Sequence, residues 1–532
     1  FPYTTLFRSP VSFVADSGSA VIADGNLTVT RDNGKANNSD TNHVQAKVTD
    51  KNGNTVSGTT VSFSSTVSGA TMVTASAVTD ENGIAGTDLT STMSGVVPVK
   101  AAVNGTDKSV DTHFAQDDSS ATIGAGDFVL TTDNAKANGS ATNAVKATVK
   151  DANGLPLAGV VVSFSATNGA NVASAKATTD QSGVATTTLT STKAGISAVT
   201  ASVSNATGGS SQSLDAHFVA DDSTATISAG NLTVTTDNAK ADGSATNAVK
   251  AIVTDANGNV LAGQSVSFSA SNGATVITAS ATTDADGVAT TTLTNSKSGI
   301  TSVTATVNGN SQSVDTTFLA DSSTAGISSG NLTVTTDNAK ADGSATNAVK
   351  AIVTDAKGNL VKDATVTFTA TNGATITTAS ATTDVNGIAT TTLSNTKAGV
   401  AKVTASVNGA SQTVDTTFVA DSGTATISDG NLTVTTDNAK ANGTATNAVK
   451  AIVTDVNGNL VSGVAVTFTA TNGATVTTAS ATTDADGIAT TTLTNTKSGV
   501  AKVTASINGN SQSVDTTFVA DSSTATISDG NL

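Results

Sequence analysis

The chain carries 532 residues at a formal net charge of −16, with no Cys, no Trp, one Tyr and 3% aromatic residues. Arg occurs only at Arg8 and Arg31 and Lys is scattered singly, which excludes the clustered basic footprint of a nucleic-acid binder. The missing Cys excludes a disulfide scaffold, and no apolar run reaches the ~18 residues of a membrane-spanning helix.

Self-similarity organises everything else. Phe218, Phe318, Phe418 and Phe518 stand 100 residues apart, each inside the phrase D-[AT]-[TH]-F-[VL]-A-D. A close variant surrounds Phe114 and a worn copy surrounds Phe13. A period of that length is one domain-sized unit repeated, far longer than a solenoid turn that needs its neighbours. In chain order the expected units are residues 18–117, 118–220, 221–320, 321–420 and 421–520. Residues 1–17 read as a non-native junction followed by the end of a truncated preceding repeat, and 521–532 as the start of a truncated sixth. The sequence is thus expected to be a fragment of a longer array.

Within residues 221–320, strand signals alternate with turn signals in the manner of an all-β sandwich. Residues 231–236 (NLTVTT) open the unit. Residues 248–255 place Val249, Ala251 and Val253 on one face, and residues 265–270 do the same with Val266, Phe268 and Ala270. Residues 274–283 form one further strand, followed by 288–294, 301–308 and 313–320 with its closing Phe318. Asn257-Gly258, Asn272-Gly273, Asp286-Gly287 and Asn308-Gly309 supply the positive φ angles of tight turns. The period-two alternation fits half-buried antiparallel strands. The reading gives seven strands, or eight if 224–227 pairs separately. Four extra residues between Val203 and Ser211, and one near Val67-Ser68-Gly69, fall in turns, where insertions leave a core untouched.

An odd number of up-and-down strands places the two ends of a unit at opposite poles. The stretch between Phe318 and the next strand signal is too short to behave as a floppy coil. Units should therefore stack end to end, at about 35–45 Å each and roughly 200 Å in all.

The phrases DNAKADGSATNAVKAIVTDANGN (residues 237–259), TTDADGVATTTLT (282–294) and VDTTF (314–318) resemble bacterial immunoglobulin-like domains of group 1, the modules of intimin- and invasin-type adhesin arms. The resemblance implies tandem immunoglobulin-like β-sandwiches arranged as an elongated rod. It also implies a stalk on the bacterial cell surface, extracellular, anchored in the outer membrane through a missing upstream segment. Its partners are then an outer-membrane anchor and a tip domain of the same longer polypeptide, with no nucleic acid and no membrane insertion by this stretch. The alternative is that the repeats themselves bind host or biofilm-matrix ligands, gaining avidity from repetition.

Catalytic chemistry has little material, so neither an enzyme nor a cofactor is expected. The His residues are His43, His113 and His217; His113 and His217 stand where later copies have Thr317 and Thr417, and they read as outward-facing strand residues. Asp284 and Asp286, repeated as Asp484 and Asp486, are the candidates for calcium, which selects oxygen-rich loops, and the junctions between units carry Asp221-Asp222, Asp321, Asp421 and Asp429 as well. The loop lacks the length and the terminal Glu of a calcium motif, so a hairpin turn is the favoured reading. Lys–Asn crosslinking needs a buried Lys, whereas Lys250, Lys350 and Lys450 fall on the outer phase of their strands.

Overall fold

The computed structural model describes residues 10–524. The junction reading of residues 1–9 and the sixth-repeat reading of 525–532 lie outside the described residues. Phe13, the worn copy, is 95% exposed and lies outside any strand.

The third repeat serves as the type. Its strands are β1 (Leu232–Thr236), β2 (Ala239–Lys240), β3 (Thr246–Ile252), β4 (Ser265–Ala270), β5 (Thr275–Val276), β6 (Ser280–Thr282), β7 (Val288–Thr294), β8 (Gly299–Val307) and β9 (Asn310–Leu319). They form a four-stranded sheet, order β1-β3-β7-β5, against a five-stranded one, order β2-β9-β8-β4-β6. All neighbours are antiparallel except β2 and β9, which run parallel with Ala239 opposite Phe318.

Alternation decides which side chains enter the space between the sheets. Val249, Ala251 and Val253 are fully buried, as are Val266, Leu293, Val303 and Ala305, with Phe268 and Phe318 among them. Phe268 and Phe318 belong to the same sheet, on β4 and β9 with β8 between. Each of the five repeats encloses a separate apolar cluster of this kind. A buried Asn fastens the start of each repeat to its last strand. Asn247 accepts from the Ala239 N–H at 2.9 Å and donates to the Thr317 carbonyl at 2.9 Å.

Three features depart from the expectation. Residues 274–283 form two short strands in opposite sheets. The Ile277 N–H bonds to Thr292 of β7, and two residues later the Ala279 carbonyl accepts from Phe268 of β4, so the segment changes partner midway. Strand β2 adds a further short strand, giving nine. Residues 224–227 contribute only an isolated bridge, Thr226 to Thr254, because a turn closed by the Asn231 N–H on Ser228 interrupts the chain. In the first two repeats the same region continues as Val21–Arg31 and Thr122–Thr132.

The two ends of a repeat do lie at opposite poles, for a reason other than strand parity. Asn308 donates to the Asp222 carbonyl at 3.0 Å, which places the start of β9 beside the start of the repeat. The ten residues of β9 then carry the chain about 33 Å to the far pole.

Candidate functional site: the joints between repeats

The polar side chains that converge do so where one repeat meets the next. At the joint between the second and third repeats, Lys136 sits on the short strand Ala135–Lys136, paired parallel to the strand that ends the repeat. Its ammonium lies 2.9 Å from Asp221 and 2.7 Å from Asp222. The two carboxylates, Asp221 first, raise the Lys136 pKa to about 12. Asp221 is nearly buried and is held well below the usual carboxylate range, by Lys136 first and then by the Ser223 hydroxyl. Its own N–H donates to Asp255 at 3.0 Å.

Asp255 begins the loop DANGN, which closes the joint from the other side. Its carboxylate accepts from the N–H groups of Asn257 and Asn259, both at 2.9 Å, fixing the loop as a tight turn. Burial pushes the Asp255 carboxyl up, but the Asn259 side chain and the surrounding N–H donors hold it below its ordinary value. The two amides so presented reach into the preceding repeat. Asn257 donates to the Ala137 carbonyl at 2.9 Å. Asn259 accepts from the Ala194 N–H at 2.8 Å and donates to the Thr192 carbonyl at 3.0 Å. Charge pair, turn and two amides together dock one sandwich on the next.

The pattern recurs with substitutions. Lys240 meets Asp321 at 2.8 Å, and Lys340 meets Asp421 at 2.8 Å. Asp321 is lowered to about 2, chiefly by Lys240 and then by Ser323. Asn359 spans its joint to Ser298 and Ser296, and Asn459 spans its own to Ala398 and Thr396. The first joint differs. Leu155 replaces the spanning Asn, and Gln116 instead forms a reciprocal pair with the Ala158 backbone at 2.8 and 2.9 Å.

The residues singled out from sequence lie elsewhere. Asp284 accepts from the N–H groups of Asp286 and Val288 at 3.0 and 2.9 Å, and Asp484 does the same for Asp486 and Ile488. Asp384 makes the same turn with Asn386, so the geometry does not need the second carboxylate. Among the described residues, no three His, Asp or Glu side chains gather as a metal site would require. His113 and His217 project outward beside Asp32 and Asp133, at 3.3 and 3.0 Å. His43 pairs with Asp88 at 2.7 Å. Lys250 opposes Thr233 and Thr290 on its neighbouring strands, with neither an amide nor a carboxylate across from it.

A groove of about 790 Å³ lies against the second repeat's insertion and is lined by residues such as Lys176, Ser202 and Gly208. It is open to solvent and offers no aromatic platform, so it lacks the enclosure of a small-molecule site.

From sequence Asn257 reads only as a turn residue and Asp221 only as one of the junction acids, while Lys136 draws no reading. The available signal was recurrence: a Lys in every D-N-x-K phrase, and an Asp at every boundary after the closing Phe.

The profile of the bacterial Ig-like domain (group 1) matches residues 24–115, 125–219, 229–319, 329–419 and 429–519. The inverse autotransporter adhesin YeeJ of Escherichia coli (strain K12) is 34% identical over 563 aligned residues, covering 97% of this chain. The chain spans only 23% of the length of that relative. Among solved structures, invasin, a bacterial integrin-binding protein, aligns at 25% identity and a TM-score of 0.37, over 74% of this chain and 78% of invasin. The Escherichia coli adhesin FdeC aligns at 23% identity and a TM-score of 0.40, over 56% of this chain and 98% of FdeC. The sandwich topology, the 100-residue recurrence and the five profile matches agree: this chain belongs to the bacterial Ig-like domain (group 1) family, in five consecutive repeats.

Proposed function

We propose that the chain is a length of stalk from a bacterial cell-surface adhesin, a spacer that holds a tip domain away from an outer-membrane anchor on the same polypeptide. The observation that carries this reading is the joint. Every repeat begins at one pole and ends at the other, and a polar clasp docks it on its neighbour, so added repeats add length. Units bounded at 117/118, 220/221, 320/321 and 420/421 act as the rigid elements. The kinship with an inverse autotransporter adhesin supports the role. So does the surface: poor in aromatic residues and Arg, it lacks the anchors on which strong binding patches rest. The reading includes no catalysis, no cofactor and no metal, with Asp284 and Asp286 serving as turn residues.

Electron microscopy of arrays with three, four and five repeats tests the proposal. Contour length should grow by about 35–45 Å per repeat, and the purified array should not adhere to cells or matrix. A length independent of repeat number, or binding by the array itself, overturns it.

A further inference from the structure

The later joints share the turn and the spanning Asn but differ at one amide. Asn257 crosses to the Ala137 carbonyl at 2.9 Å, and Asn457 crosses to the Ala341 carbonyl at 2.9 Å. At the joint between the third and fourth repeats, the equivalent residue is Lys357. Its N–H keeps the turn, donating to Asp355 at 2.9 Å, but its exposed ammonium crosses to nothing among the described residues. A backbone carbonyl at this range suits the short, planar amide of Asn, whose carboxamide carbon lies two bonds from Cα. A hydrated ammonium on a four-carbon stem loses more freedom for the same contact.

The remaining clasp at this joint is ordinary. Asn359 keeps both of its bonds, and Lys240 pairs with Asp321 while also donating to the Ser323 hydroxyl at 3.2 Å. That last bond is exposed and tethered by a flexible side chain, so it does not replace a backbone-anchored amide. At the second-to-third joint Lys136 bridges two carboxylates, whereas Ser322 stands at the second position here.

We infer that the joint between the third and fourth repeats is the compliant point of the last four repeats, and that Lys357 makes it so. Loss of one bond of ordinary strength shifts the ratio of docked to undocked joint by roughly two- to tenfold. A stalk whose neighbouring joints keep that amide then bends preferentially at one place. The inference deepens the stalk reading, yet its test reads joint geometry rather than length or adhesion, so either can fail alone.

The chain has no Cys, so introduced pairs accept spin labels only where they are placed. Labels on exposed strands of adjacent repeats in the whole chain report each joint as a distribution of distances. The undocked fraction should be largest between repeats three and four. Lys357→Asn should lower it to the level of the fourth-to-fifth joint, and Asn457→Lys should raise the latter to match. Both substitutions install a residue that a sister repeat carries at that position, so folding is preserved. Indistinguishable distributions at the three joints, or no response to either exchange, overturn the inference.

Discussion

The interior of a repeat and the joint at its end respond very differently to a single substitution. In the core, Leu261 becomes Val361 and Val461, Val276 becomes Ile376 and then Val476, and Val307 becomes Ile507, while strand order is unchanged. Burial is non-directional, so apolar side chains of similar volume exchange at small cost. In the joint, replacing Asn457 by its counterpart Lys357 removes a bond outright, because a hydrogen bond requires its partner at a set distance and angle. Cores therefore fix whether a repeat folds, and joints fix how repeats are held.

The harshest way to break that division is to open a core. Phe268→Ala should cost on the order of 3–5 kcal/mol and unfold the third repeat alone. Calorimetry would then show one early transition beside an unmoved remainder, and a shift of all five together would end the claim of independent units. A buried polar staple comes next. Asn347→Ala strands the Ala339 N–H and removes one of two donors to the Thr417 carbonyl, which keeps the Asn338 N–H at 3.0 Å, and should cost the fourth repeat about 1–3 kcal/mol, read by urea denaturation.

Joint substitutions should leave repeat stability alone. Asn457→Ala deletes one cross-joint bond and no side-chain bond within its own repeat, a loss of about 0.5–1.5 kcal/mol. Small-angle scattering should register a more flexible rod with the same melting behaviour. A lowered melting midpoint would show instead that docking stabilises the sandwiches.

Acid probes the charge pair at the same joints. Asp321 is lowered from 3.8 to about 2 when docked, so the docked state is favoured above pH ~4 and loses that preference as pH falls through ~2. Scattering across this window should show bending set in below pH ~4, and a rod unchanged to pH ~2 would remove the Lys240–Asp321 pair from the account. The smallest expected effect is none. Calcium or chelator should leave the melting midpoint in place, since a ligand of the folded state must raise it; a rise would make the Asp284 loop a site.

Much of the sandwich was legible because burial imposes a period. The spans 265–270 and 288–294 coincide with β4 and β7, where alternation is uninterrupted from end to end. Residues 274–283 were not, since the segment pairs with β7 and then β4 while its own composition stays uniform. Strand β2 was missed because two residues are too few for a period to register. Asp284 stood out as a candidate because acidic residues cluster in sequence, yet its oxygens serve a turn. The pairing of Lys136 with the junction acid Asp221 did not stand out, since the two are 85 residues apart and charged like any surface pair.

Local pattern alone specifies the repeat, the all-β class and the identity of the core side chains, since alternation and turn chemistry are properties that each hundred-residue copy restates. Which poles meet, which amide crosses to which carbonyl, and where among the described residues a crossing is absent follow from the folded arrangement instead. Those contacts depend on distances between residues that the chain brings together only after two neighbouring sandwiches have closed.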